Sequence, residues 1–117
     1  MTLNKEPLSP SNLVTLIQKK IRLENVSDES INALKAIGAQ DDKIAGEIIW
    51  FIPYADEGEL AARLDDLNKL GFLFVGEDPL GWPPADVFIH LREKKLIKGD
   101  FKEINWRGPG DWFIIER

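Results

Sequence analysis

Glu47-Ile-Ile-Trp-Phe-Ile52, then Asp56-Glu-Gly-Glu59 opening a stripe of Leu60, Leu64 and Leu67, then Gly71 and Phe72-Leu-Phe-Val75, decide the fold. The first segment carries β-branched and aromatic residues on both faces, which suits a strand covered on both sides or lying centrally in a sheet. Pro53 stops it. Asp56 with Glu59 three residues on makes a capping-box-like helix start, and Arg63, Asp65, Asp66 and Asn68 point away from the leucine stripe. Gly71 closes that helix with Phe72 as its hydrophobic contact. Residues 47 to 75 therefore read as one strand, helix, strand unit, with a right-handed crossover if the two strands run parallel in one sheet.

Working outward, residues 1 to 9 read as a loose leader. Pro10 and Ser11 sit where a helix could begin, with Leu13, Leu16, Ile17 and Ile21 at helical spacing behind them and Lys19, Lys20 and Arg22 in the last turn, where cations suit the helix dipole. Ser27 then reads as an N-cap, Asp28 and Glu29 as a first turn, and Val26 with Ile31 as a hydrophobic staple. Leu34 and Ile37 continue that face, and Gly38 ends it. On the other side, Gly76-Glu-Asp-Pro-Leu-Gly-Trp-Pro-Pro84 is dense in turn residues and forms a loop, with Pro83 or Pro84 in the first turn of the next helix. Val87, Phe88 and Leu91 are that helix's buried stripe, Lys94, Lys95 and Lys98 its end, and Gly99 its stop. Phe101 to Trp106 and Asp111 to Glu116 flank Arg107-Gly-Pro-Gly110 and predict a C-terminal β-hairpin with a loop of about four residues. The order ααβαβαββ predicts one α+β domain over residues 1–117, a roughly four-stranded sheet packed on helices.

At 117 residues and 44% apolar, the chain is one domain long and can bury a core without staples. It has no cysteine, which excludes disulfides, thiolate metal sites and a cysteine nucleophile. Its first dozen residues lack the order of a signal peptide, and the apolar run Ile48 to Pro53 is too short to cross a bilayer of about 30 Å as a helix. The expectation is a cytoplasmic protein that does not enter the membrane. The net charge of −5 is uneven: between Glu24 and Asp86 fourteen acids face four bases. That field repels phosphates and steers a basic partner, or simply keeps the surface solvated.

Catalytic chemistry finds little support. His90 has Asp86 four residues earlier, so a small enzyme or ligand-binding domain could use that pair, although such a pair is far more often a surface helix contact. The serines fall in the first quarter of the chain, none in a nucleophile turn. One histidine without cysteine makes a poor zinc set, and the acids lack calcium-loop spacing. No glycine-rich phosphate loop occurs, so neither cofactor nor metal is expected. The bases are scattered over both ends of the chain, and the one group that could meet nucleic acid, Lys94, Lys95, Lys98 and Lys102, reads more simply as a solvated face. Trp50 reads as core, whereas Trp82, Trp106 and Trp112 sit in or beside loops, and tryptophans are enriched at interface centres.

Leu34-Lys-Ala-Ile-Gly38, Ile48 to Tyr54, Glu59 to Leu70 and Gly71-Phe72 together resemble the opening half of the ribonuclease-regulator B family, acidic α+β proteins that bind and inhibit a ribonuclease. The chain departs from that family in ending on a tryptophan-bearing hairpin where the family carries an acidic tail. In general type, a short acidic α+β chain without catalytic residues, it is similar to the immunity proteins that neutralise bacterial toxins, including those of contact-dependent inhibition. Both resemblances imply a non-catalytic inhibitor whose acidic face covers the cationic site of a basic toxin domain. On that reading the contact falls to Asp56, Glu57, Glu59, Asp65 and Asp66, with Glu77, Asp78 and Trp82 in the adjoining loop. An oligomerisation module built on the hairpin's edge is the remaining class. The oligomeric state itself is not legible.

Overall fold

Strand alternation, not helical spacing, governs residues 13 to 24. In the computed structural model, which describes residues 11–17, 19–77 and 83–117, Leu13–Ile17 is strand β1 and Lys20–Glu24 is strand β2, paired antiparallel. The expected first helix is thus a β-hairpin. Its apolar residues satisfy both periods, but β2 alternates buried Ile21 and Leu23 with half-buried or exposed Lys20, Arg22 and Glu24, and the branched Val14, Thr15, Ile17 and Ile21 favour extended backbone. The leader, Asp78 and Trp82 lie outside the described residues.

A 3-10 turn at Asp28–Ser30 leads into α1, Ile31–Ala36, which Gly38 closes at φ 92°. Next come β3, Gln40–Ile44, and β4, Glu47–Pro53, joined through Ala45 and Gly46, both at positive φ. Helix α2, Glu57–Lys69, starts on Asp56, whose carboxylate accepts the Glu59 N–H at 2.8 Å. Gly71 at φ 86° ends it, and β5, Leu73–Val75, follows. Helix α3, Pro84–Glu93, begins with proline at its first turn as expected. It stops earlier than the sequence suggests, because Lys95 rather than Gly99 takes the left-handed position after the last turn, with Leu96 N–H donating to the Leu91 carbonyl at 2.9 Å. The terminal hairpin is β6, Lys102–Gly108, and β7, Asp111–Glu116, turning through Pro109 and Gly110 alone.

The fold is α+β, but its sheet has seven strands in the order β3-β4-β2-β1-β5-β6-β7, where about four were expected. β1–β5 and β5–β6 are parallel, and all other neighbours are antiparallel. Val14, Ile21, Leu23, Trp50, Ile52 and Phe74 point to the face that packs on Leu60, Leu64 and Leu67 of α2 and on Val87, Phe88 and Leu91 of α3. On the opposite face Leu13, Val75 and Ile104 form a second, smaller cluster with half-buried Leu73, Trp106 and Trp112. Neither hairpin tryptophan is a bare surface residue.

Phe74 makes edge-to-face contacts with Phe88 at 5.2 Å and Phe101 at 5.6 Å, so β5, α3 and the residue just before β6 meet on one ring. Phe74→Ala is expected to lower stability by about 3–5 kcal/mol, read from urea unfolding with an unchanged denaturant slope. Leu96→Ala, at an exposed position, should stay within about 0.5 kcal/mol of the parent.

Candidate functional site

Five acids of the expected contact surround α2, and their charges are not equally available. Glu57 lies 2.6 Å from Lys94 Nζ and 3.3 Å from His90 Nε2 on α3. Asp65 pairs with Lys69 at 2.9 Å and Asp66 with Arg63 at 3.4 Å, each about one helical turn apart. Asp56 spends an oxygen on the helix start. Only Asp56 and Glu59 of the five have no ion pair among the described residues. Asp56 and Asp66 are also ten residues apart, or about 15 Å along the helix axis. Exposed Glu77 follows β5. Because β4 and β5 both run parallel to β1, Glu77 lies at the same end of the sheet as the start of α2, with β2 and β1 between them. The contact read from the sequence therefore divides into an end group of Asp56, Glu57, Glu59 and Glu77 and a separate pair, Asp65 and Asp66.

His90 meets the carboxylate of Glu57. The hydrogen bond and charge of Lys94, together with His90, hold the Glu57 carboxyl below its usual range. The serine hydroxyls of the first turn are likewise occupied, Ser27 Oγ lying 2.9 Å from Ser30 Oγ and accepting from Asn12 Nδ2 at 3.3 Å. Among the described residues no group of three or more His, Asp or Glu could hold a metal ion, and no helix is long and apolar enough to cross a membrane.

A denser concentration of acid lies at the other end of the sheet. There β2 ends where its antiparallel neighbour β4 begins, and the 3-10 turn and α1 fold across the gap. The result is a cleft of about 580 Å³ lined by Glu24, Asp28, Asp41 and Glu47, with Arg22 the only cation of the lining among the described residues. Its apolar walls are Leu23, Val26, Ile31, Ile48, Ile49 and Trp50. Glu24 pairs with Arg22 at 3.4 Å, while Asp28, Asp41 and Glu47 have no ion pair among the described residues. Trp50 is 7% exposed and closes the base, with Lys35 Nζ 6.0 Å from its ring.

Ile48 stands out at the mouth, 66% exposed, the barest large apolar residue described. The sequence places it in a strand covered on both sides or lying centrally in a sheet, and β4 is an inner strand, between β3 and β2. Yet β4 has only the edge strand β3 beyond it, and α1, six residues or about 9 Å long, is too short to roof both strands. An apolar base with carboxylates on the rim suits a cationic, partly apolar protein segment. Sequence reasoning missed Asp28, Asp41, Glu47 and Ile48 as site residues. Their signal was the acid excess from Glu24 onward, without the strand neighbours that gather it.

The Glu57 shift has a defined sign. A carboxyl whose folded pKa lies below its unfolded value stabilises the fold above the unfolded value, and that contribution is lost as pH falls through the folded one. Lys94→Ala should move the Glu57 midpoint upward toward the ordinary carboxylate range, as read by carboxyl-carbon NMR titration, and an unmoved midpoint would show that Lys94 is not the cause. No protein-family model, no curated protein and no solved structure matches this chain.

Proposed function

We propose that this chain is a non-catalytic binding protein of the immunity type, which neutralises a basic toxin domain by occupying its cationic substrate surface. The observation that carries the reading is the cleft: four carboxylates against one guanidinium around an apolar base, with Ile48 exposed at the mouth. An enzyme that grips a phosphate backbone presents the complementary field and a row of lysines or arginines. A lysine or arginine stem from such a surface would lie along Ile48 toward Trp50, on one face of β4, with its charge among the carboxylates of the rim.

Asp56, Glu59 and Glu77 at the far end extend the negative field and act on encounter rather than on the docked state. Asp65 and Asp66 contribute less, because Lys69 and Arg63 cancel their field at short range. Asp78 and Trp82 complete the contact surface proposed from the sequence. This division makes the reading specific, since it separates groups that set the association rate from groups that set residence time.

The test is capture of the partner from the host of origin, followed by activity and rate measurements on the purified pair. The partner should be a basic domain whose activity falls to zero at equimolar inhibitor, with an association rate that declines as salt rises. Asp41→Lys with Glu47→Lys should slow association about tenfold, Ile48→Asp should speed dissociation about tenfold, and Asp65→Lys should do little. Undiminished affinity in the doubly charge-reversed variant would refute the cleft as the binding site, and a captured partner that is neutral or acidic would refute the inhibitor reading.

A further inference from the structure

The two edges of the sheet are built differently. The β3 edge, Gln40-Asp-Asp-Lys-Ile44, carries three consecutive charged residues, which blunt it against pairing. The β7 edge, Asp111-Trp-Phe-Ile-Ile-Glu116, has four consecutive apolar residues and no strand beyond it among the described residues. Ile114 is 43% exposed and Ile115 is 38% exposed, on opposite faces of that strand.

The hydrogen-bond parity of β7 follows from its pairing with β6. Arg117 N–H donates to the Phe101 carbonyl at 2.9 Å, and Glu103 stands opposite Ile115 and Asn105 opposite Phe113. Odd-numbered residues of β7 therefore turn their backbone groups inward to β6, while Trp112, Ile114 and Glu116 turn theirs outward. An antiparallel copy of the same strand, centred on Ile114, would pair these outward groups completely: Ile114 with Ile114 of the second copy, and Trp112 with Glu116.

The side chains suit that register as well. It brings Phe113 opposite Ile115 of the second copy and Asp111 opposite Arg117, in the positions where antiparallel side chains approach most closely. Asp111 and Arg117 have opposite charges. Arg117 is already oriented, its Nε 3.1 Å from the Glu103 carboxylate, which leaves the rest of its guanidinium for a second acid. A twofold axis centred on Phe113 would instead set Asp111 against the apolar Ile115, so the charge pattern selects Ile114 as the centre.

We infer that β7 is a self-association edge, through which two copies of this chain join in one continuous antiparallel sheet about a twofold axis at Ile114. This inference is independent of the inhibitor reading, since the acidic cleft takes no part in it. Sedimentation equilibrium of the full chain from micromolar to millimolar concentration should show a shift from 13.3 kDa to twice that mass. Ile114→Lys sets like charges opposite each other at the axis and should weaken self-association at least tenfold, with an unchanged circular dichroism spectrum.

Because the chain contains no cysteine, single cysteines report the register directly. Ile114→Cys should cross-link to its copy on mild oxidation. Glu116→Cys should not, since its symmetry mate lies about 13 Å away along the strands and a disulfide needs Cα atoms within about 7 Å. A single-chain mass at every concentration, an Ile114→Lys variant that associates like the parent, or Glu116→Cys cross-linking as fast as Ile114→Cys would each overturn the inference.

Discussion

Two residue pairs, Leu13 with Leu73 and Val14 with Phe74, join what would otherwise be two separate sheets. On one side stand β3, β4, β2 and β1, all antiparallel; on the other, β5, β6 and β7. So short a parallel junction cannot hold by backbone bonds alone, and both faces reinforce it. Val14 and Phe74 are fully buried on the helix side, while Leu13 with Val75 and Ile104 seals the opposite side. Asn12 extends the junction into the loops. Its carbonyl accepts the Leu73 N–H at 3.0 Å, its own N–H donates to Asn25 at 2.9 Å, and its side-chain oxygen accepts the Ser27 N–H at 2.9 Å. Asn12 and Asn25 both adopt left-handed backbone, which asparagine tolerates better than most residues. The wall of the cleft, from Glu24 to Asp28, is thereby tied to the seam of the sheet.

That tie matters because an acidic surface acts through geometry more than through its total charge. Exposed ion pairs contribute at most about 1 kcal/mol to stability, so the pairs on α2 are minor for folding, yet each cancels a carboxylate's field at its own position. Three of the four cleft acids, Asp28, Asp41 and Glu47, escape cancellation among the described residues, and Glu24 alone is paired, with Arg22. The four come from four different elements, β2, the 3-10 turn, β3 and β4, and so lack the one-turn helical spacing that lets Lys69 reach Asp65 or Arg63 reach Asp66.

The strand, helix, strand unit over residues 47 to 75 was legible because its signals are local: an aspartate cap, a leucine stripe, a closing glycine. The hairpins nearer the N-terminus were not. Leu13, Leu16, Ile17 and Ile21 fit a helix as well as a strand, and the sequence between Ile17 and Lys20 has none of the usual Gly, Asn or Pro punctuation. The β3–β4 turn hid in the same way, since Ala45 occupies a positive-φ position (52°) where asparagine or aspartate would announce a hairpin. With β2 and β3 unrecognised, the acid excess can be counted but not placed, and the sequence puts the contact on the helix after Asp56 and on the loop after Val75. Asp78 and Trp82 lie outside the described residues, so the loop part of that assignment rests on sequence.

Cleft and self-association edge lie far apart on the same sheet. β4 and β7 are five strands apart in the sheet order, which is about 24 Å at the usual spacing. A twofold axis through Ile114 would add the second copy on the side away from the first cleft and set the two clefts near opposite margins of the joined sheet. Self-pairing and capture of a basic partner would then not compete for surface. The edge strand β3 would be left beside each cleft with its charges facing water, where Asp41 and Asp42 both blunt the edge and, through Asp41, supply the cleft's field. A single acidic run thus serves two physical ends: it discourages β-pairing at one edge of the sheet and attracts opposite charge to the hollow beside it.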